Sequence, residues 1–218
     1  MFLRRIRIVL LSLTVTLGGC FGAADRPVEV AVIGPSAAAF VGGPRLPAAA
    51  QLLRAATVEG LVGFDDQGRV VPALADRWIV TDDGLSFIFR LRDGTWADGS
   101  PITGETARAA LTQAMAAQRG TPLGQDLAVV AEVRAMAGRV IEIRLASRQP
   151  ELLQVLAQPE LGLVKANRGT GPMRLRRDKD SAQLRPIPPE EQGMPQEERW
   201  KQRARRLELN SLPARTAI

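Results

Sequence analysis

The sequence predicts a mixed α/β fold, a mixed sheet with flanking helices and β-hairpins, on three observations. Leu85, Phe87, Phe89 and Leu91 recur with period two, which places them on one face of a strand. Asp83-Gly84 and Gly138 each stand between two apolar runs, the signal of a hairpin turn. Ala107, Ala110, Leu111, Ala114 and Met115 share one side of a helix between Thr103 and Gly120.

The elements follow in chain order. Val28 to Ile33 is a β-branched run ended by Gly34-Pro35 and reads as a buried strand. Ser36 to Pro47 is small and Gly/Pro-rich, so a loop is expected. Ala48 to Glu59 has helical composition, with Leu52, Leu53 and Ala56 on one side and Gly60 as C-cap. Leu61 to Pro72 places two apolar pieces around an Asp/Gly turn, a small hairpin. Ala73 to Asp76 reads as a short helical turn. Trp78-Ile79-Val80 and Leu85 to Leu91 then form a hairpin, and a tight loop holds Trp96 between Asp93-Gly94 and Asp98-Gly99.

The next helix runs from Gly104 to Arg119, with Thr103 as N-cap and Glu105 at the positive end of its dipole. Val129 to Ala137 pairs with Arg139 to Leu145, and Pro150 opens a short helix to Ala157. Met173 to Leu184 reads as two strands around Asp178-Lys179-Asp180. Ile187 to Glu198 reads as linker, and Arg206 to Leu209 as a last strand without evident partners, hence an exposed edge.

Composition narrows the function. The chain has 218 residues, 45% hydrophobic and 24% charged, enough for one globular domain or at most two. It has no histidine and one cysteine. That removes a Ser-His-Asp triad, a Cys-His pair, His metal ligands and an internal disulfide. The net charge of +6 is uneven: +3 in residues 1–19, −3 in 20–164 and +6 in 165–218. The middle is slightly acidic and carries no nucleic-acid motif, so nucleic acid is not an expected partner. Aromatics at 4% supply few stacking platforms. The run Arg199 to Arg206 reads as a solvated basic face.

The N-terminus reads as an address. A basic start (Arg4, Arg5, Arg7) precedes the apolar run Ile8 to Thr16. That run is short of the roughly 20 residues needed to cross a bilayer and fits a secretory signal. Leu17-Gly18-Gly19-Cys20 resembles the bacterial lipobox, whose cysteine is acylated before cleavage makes it the new N-terminus. The resemblance implies a lipoprotein signal over 1–19, lipidation at Cys20, a tether over 20–27, and an anchor of several acyl chains outside the cytoplasm.

Candidate chemistry is sparse. Asp65-Asp66, Asp82-Asp83, Asp93 and Asp98 all stand beside glycine turns, where Asp bonds its own backbone. Gly169-Thr170-Gly171-Pro172 lacks the Gly-Lys-Ser/Thr ending of a phosphate loop. No hydroxyl has a histidine base beside it. No enzyme, metal site or cofactor is expected.

Between Val58 and Ala110 an ordered set of motifs carries a family resemblance. It comprises Glu59-Gly60-Leu61-Val62, then Val71-Pro72-Ala73-Leu74-Ala75-Asp76-Arg77-Trp78, then Asp83-Gly84-Leu85-Ser86-Phe87-Ile88-Phe89-Arg90-Leu91-Arg92-Asp93-Gly94, then Trp96-Ala97-Asp98-Gly99-Ser100-Pro101-Ile102-Thr103. Together they resemble the extracytoplasmic solute-binding proteins of peptide, oligopeptide and nickel ABC transporters, family 5. Gly169-Thr170-Gly171-Pro172 is similar to that family's downstream element. Two local departures are Ala97, where the family usually has His, and Glu105-Thr106 in place of an acidic pair.

The resemblance implies a class II periplasmic-binding-protein-like first lobe over 28–218, with 185–218 poorly ordered or incomplete. Family members are about twice as long or more and close two lobes over their ligand, so an incomplete second lobe and lower stability in isolation are expected. The implied function is a lipid-anchored, extracytoplasmic, periplasmic component of an ABC importer that captures a peptide or similar small solute. Its implied partners are the permease and ATPase complex. The loops 34–47 and 92–100 would form this lobe's share of the cleft, with Ser36 and Trp96 as ligand contacts, Trp96 more by packing than by stacking. The alternative is a truncated lipoprotein with a structural or interaction role, or a gene remnant.

Overall fold

A computed structural model describes residues 28–188 and 207–212. The predicted signal, Cys20, the tether, and most of the linker after Ile187 lie outside them. Among the described residues there are ten strands: β1 (Val28–Ile33), β2 (Val62–Phe64), β3 (Val70–Pro72), β4 (Ala75–Val80), β5 (Ser86–Leu91), β6 (Val130–Ala135), β7 (Val140–Leu145), β8 (Met173–Asp178), β9 (Ser181–Pro186) and β10 (Leu207–Leu212). The α-helices are α1 (Ala48–Thr57), α2 (Gly104–Ala117), α3 (Pro122–Asp126) and α4 (Leu152–Leu156). Among the described residues no helix is long and apolar enough to cross a membrane.

The strands form two four-stranded sheets and one hairpin. The first sheet has the order β4-β5-β7-β6 and is antiparallel throughout. Phe87 registers with Ile143 and Phe89 with Ile141, so the period-two residues of both strands share one buried face. That face meets α2 through Ala107, Ala110 and Leu111. The helix starts where the sequence predicts. Thr103 Oγ1 accepts from the Thr106 amide, and Thr106 Oγ1 accepts from the Thr103 amide, a reciprocal cap.

The second sheet has the order β1-β10-β9-β8. Here β1 is parallel to β10, and the other pairs are antiparallel. The last strand is therefore interior, hydrogen-bonded to β1 on one side and β9 on the other, which corrects the expectation of a strand without partners. Ala182 and Leu184 of β9 pack with Ala49 and Leu53 of α1 in a second, smaller core.

Four local readings change. Ser36–Phe40 is a 3-10 turn rather than plain loop, begun by an Ala38 amide bond to the Pro35 carbonyl and pinned by buried Ala39. Ala73 to Asp76 is not helical. The amides of Leu74 and Ala75 bond the carbonyls of Gly60 and Leu61, and that long-range pairing holds the chain extended into β4. On α1 the buried residues are Ala49, Ala50 and Leu53, while Leu52 faces solvent. The helix α3, capped by the Thr121 side chain, was not expected from sequence.

Candidate functional site

A cleft of about 480 Å³ opens where the two cores meet. Its walls are the end of α1 at Thr57 and Val58, the loop from Arg92 to Gly99, the segment Asn167 to Gly171, and the start of β8.

The 92–100 loop is built by the turn chemistry expected of its aspartates. Asp98 Oδ1 accepts from the Ser100 amide and hydroxyl at 2.9 and 2.6 Å. Thr95 and Pro101 bridge the loop's two sides. Three ion pairs then fasten it. Arg92 Nη2 lies 2.7 Å from Glu59 Oε2, with both side chains largely buried. Arg139 Nη1 lies 2.5 Å from Asp93 Oδ1. Lys165 Nζ lies 2.9 Å from Asp98 Oδ2 and also donates to Ser100 Oγ. The hydrogen bonds from Ser100, and then Lys165, hold the Asp98 carboxyl well below the usual carboxylate range.

Trp96 lines this cleft with only 2% of its surface exposed. Its indole Nε1 donates to Thr106 Oγ1 at 3.0 Å, tying the loop to the first turn of α2. Ser36 lies elsewhere, in the turn that follows the carboxyl end of β1. It is half-buried and absent from the cleft walls. The two predicted ligand contacts are thus not brought together in one pocket.

The opposite wall depends on two close approaches. A Cβ on Gly169 would stand 2.6 Å from the Thr57 carbonyl oxygen, and one on Gly171 would stand 2.2 Å from the Thr57 carbonyl carbon. The Gly171 amide bonds Thr57 O at 3.0 Å. This backbone contact explains the glycines of Gly169-Thr170-Gly171-Pro172: only chain without side chains fits against the end of α1. Just before them, Lys165 and Arg168 exchange backbone hydrogen bonds of 2.9 and 3.0 Å around Ala166 and Asn167. Both central residues have positive φ, 49° and 61°, the pattern of a type I′ turn. Left-handed Ala is strained by about 1–2 kcal/mol. The turn sends Lys165 to Asp98 and sets Arg168 in the cleft wall.

Sequence reasoning missed Lys165, Arg168 and Arg174. Only Asn167 signalled the turn that positions the first two, because Ala gives no hint of a left-handed conformation. Among the described residues no group of three His, Cys, Asp or Glu could hold a metal ion.

The fold and the cleft define a lobe that can hold a small molecule on a preformed polar surface. The chain matches the family model "Bacterial extracellular solute-binding proteins, family 5 Middle" over residues 69–190 and belongs to that family. The match bears out the resemblance carried by the motifs between Val58 and Ala110.

Among curated relatives, it is 34% identical over 121 residues to YgiS of Escherichia coli, described as a probable deoxycholate-binding periplasmic protein. That match covers 47% of this chain and 23% of YgiS. Among solved structures, the pheromone receptor PrgZ, described by its mode of peptide binding, superposes with a TM-score of 0.67 at 16% identity. That covers 86% of this chain and 43% of PrgZ. OppA of Listeria monocytogenes, solved bound to peptide, gives 0.66 at 12% identity over 87% of this chain and 43% of its own. These structures show a periplasmic-binding-protein-like mixed α/β fold. The chain spans less than half the length of each of these proteins.

Proposed function

We propose that this chain is the extracytoplasmic, lipid-anchored component of an ABC importer that captures peptides or similar small solutes. The observation that carries it is the preformed cleft on a family 5 lobe, fastened by three ion pairs and lined with backbone and polar groups. Capture needs hydrogen bonds and shape, and no covalent step. The peptide-bound OppA and the peptide-binding PrgZ share this fold and support a peptide as ligand, while the name of YgiS adds an amphipathic carboxylate to the range. Ser36, beyond the carboxyl end of a parallel strand, and Trp96, in the cleft wall, are the proposed ligand contacts. Cys20 is the proposed anchor, and permease and ATPase are the proposed partners.

The test is native and intact mass spectrometry of the protein from a membrane fraction, before and after exposure to a mixture of short peptides. Acyl mass on Cys20 and retention of peptide are expected. A protein with an unmodified Cys20 would refute the anchor. One that retains no peptide would refute the capture reading.

A further inference from the structure

We infer that the β6 edge of the first sheet pairs with the same edge of a second copy of this chain. β6 ends the sheet β4-β5-β7-β6, and among the described residues no strand lies beyond it. The hydrogen-bond pattern fixes which of its groups face outward. The Leu145 amide donates to the Leu85 carbonyl, and the Leu91 amide to the Arg139 carbonyl, so the odd-numbered residues of β7 bond β5. The even-numbered ones therefore bond β6, as the bond from the Met136 amide to the Val140 carbonyl shows. That pattern turns the main-chain groups of Val133 and Ala135 away from the sheet.

An antiparallel pair of identical edges has a two-fold axis. With the axis at Val133, that residue exchanges bonds with its own copy, and Ala131 meets the partner's Ala135. Glu132 then stands opposite the partner's Arg134, and Arg134 opposite the partner's Glu132. Within one chain Glu132 already registers with Arg144, and Arg134 with Glu142. The row across the seam therefore runs Glu142, Arg134, the partner's Glu132, the partner's Arg144, alternating in sign throughout. Moving the axis by one residue sets Glu132 or Arg134 against its own copy, and like charges directly opposite destabilise a sheet. Arg134 is loosely held in the single chain. It reaches Glu132 and Glu142 at 3.7 and 3.9 Å, with 46% of its side chain in solvent.

The inner side of the edge is apolar. Between β6 and α2 lies a groove of about 490 Å³, whose walls include Thr112, Met115 and Val133. Met115 and Val133 are half-buried. The partner's Val133 side chain falls on this same face and covers them. Arg108 and Arg119, also in the groove wall, are exposed and can keep their charged ends in water. A contact of one six-residue strand a side is small, so the pair should dissociate on dilution.

The test is sedimentation velocity of the full chain in density-matched detergent over about a hundredfold range of concentration, with amide hydrogen exchange followed by ¹⁵N NMR. A monomer–dimer equilibrium is expected, with the Val133 and Ala135 amides gaining protection as the dimer forms. The Trp78 and Val80 amides, which face outward on the opposite edge strand β4, should not change. Arg134→Glu and Glu132→Arg should each weaken self-association by about tenfold or more, because both cross-seam pairs become repulsive. Mixing the two variants should restore pairing, since every charged pair at the seam is again opposite in sign.

A monomer at every concentration, or a dimer whose Val133 and Ala135 amides stay unprotected, would overturn the inference. So would single reversals without effect, or a mixture of the folded variants that fails to pair. The exchange measurement uses the unaltered chain, so it decides the question even where a variant does not fold.

Discussion

Replacing Glu59 with alanine removes the carboxylate that holds Arg92 at the base of the cleft loop. The pair is close, 2.7 Å, and its side chains keep only 9% and 13% of their surface in solvent. The Arg92 main chain is held in place by its amide, which donates to the Leu74 carbonyl, and its side chain is packed with little surface in solvent. Breaking a fully buried pair by removing one partner costs about 3–5 kcal/mol, because the remaining charge stays desolvated. Residual exposure here lowers the expectation to about 2–3 kcal/mol. With about 2–4 °C of melting temperature per kcal/mol for a chain of this size, the fall should be about 4–12 °C. In urea the midpoint should drop by about 1–2 M at a slope of about 1.5 kcal/mol/M. Tryptophan fluorescence reports the transition, because Trp96 sits in the same loop. Arg92→Met combined with Glu59→Leu should recover most of the loss, since an apolar pair carries no desolvated charge. A Glu59→Ala variant within about 0.5 kcal/mol of the parent would refute the reasoning, as would a double variant no more stable than the single one.

Three further outcomes are expected. Gly171→Ala forces a Cβ to 2.2 Å from the Thr57 carbonyl carbon, and a backbone cannot yield as a side chain can. A loss of about 3 kcal/mol should appear in the same urea titration, and a neutral result would mean that the two segments are further apart. Ala166→Gly relieves left-handed strain at φ 49°, partly offset by the freer unfolded chain. A gain of about 0.5 kcal/mol is expected by calorimetry, and a loss would remove the strain argument.

The acid side of the stability profile should follow the turn aspartates. Asp98 has its folded pKa lowered by Ser100 and Lys165, and Asp93 has its own lowered by Arg139. A depressed folded pKa adds stability that is fully present above the unfolded value, near 4, and is lost as pH falls toward the folded one. Urea midpoints should therefore hold from pH 7 to about 5 and fall below about 4, with Asp98→Asn showing a shallower fall. An equally steep fall in that variant would remove Asp98 from the account.

What could be read from sequence was set by neighbours within a few positions. The Asp83-Gly84 turn forms because Asp83 Oδ1 accepts from the Leu85 amide, two residues on, and Gly84 takes φ 69°. The start of α2 rests on a reciprocal cap between residues three apart. Alternation along β5 and β7 selects one apolar face because one face must leave water, whatever the partner strand. These interactions are short in sequence, so residue order alone specified them. The ordered motifs between Val58 and Ala110 likewise specified the family.

Tertiary structure decided the rest. The strand at Leu207–Leu212 has no pattern that names its partners, yet it lies between β1 and β9, closing a parallel pair across most of the chain. Ala73 to Asp76 has helical composition, and strand pairing to Gly60 and Leu61 overrode it. The glycines at 169 and 171 became intelligible only when Thr57 was found against them. The cleft itself is made by contacts such as Glu59–Arg92 and Asp98–Lys165, between residues 33 and 67 positions apart. Such pairs depend on how whole elements pack. Packing is a property of surfaces that exist only after folding, which is why the charge of this site is visible in the structure and not in the order of its residues.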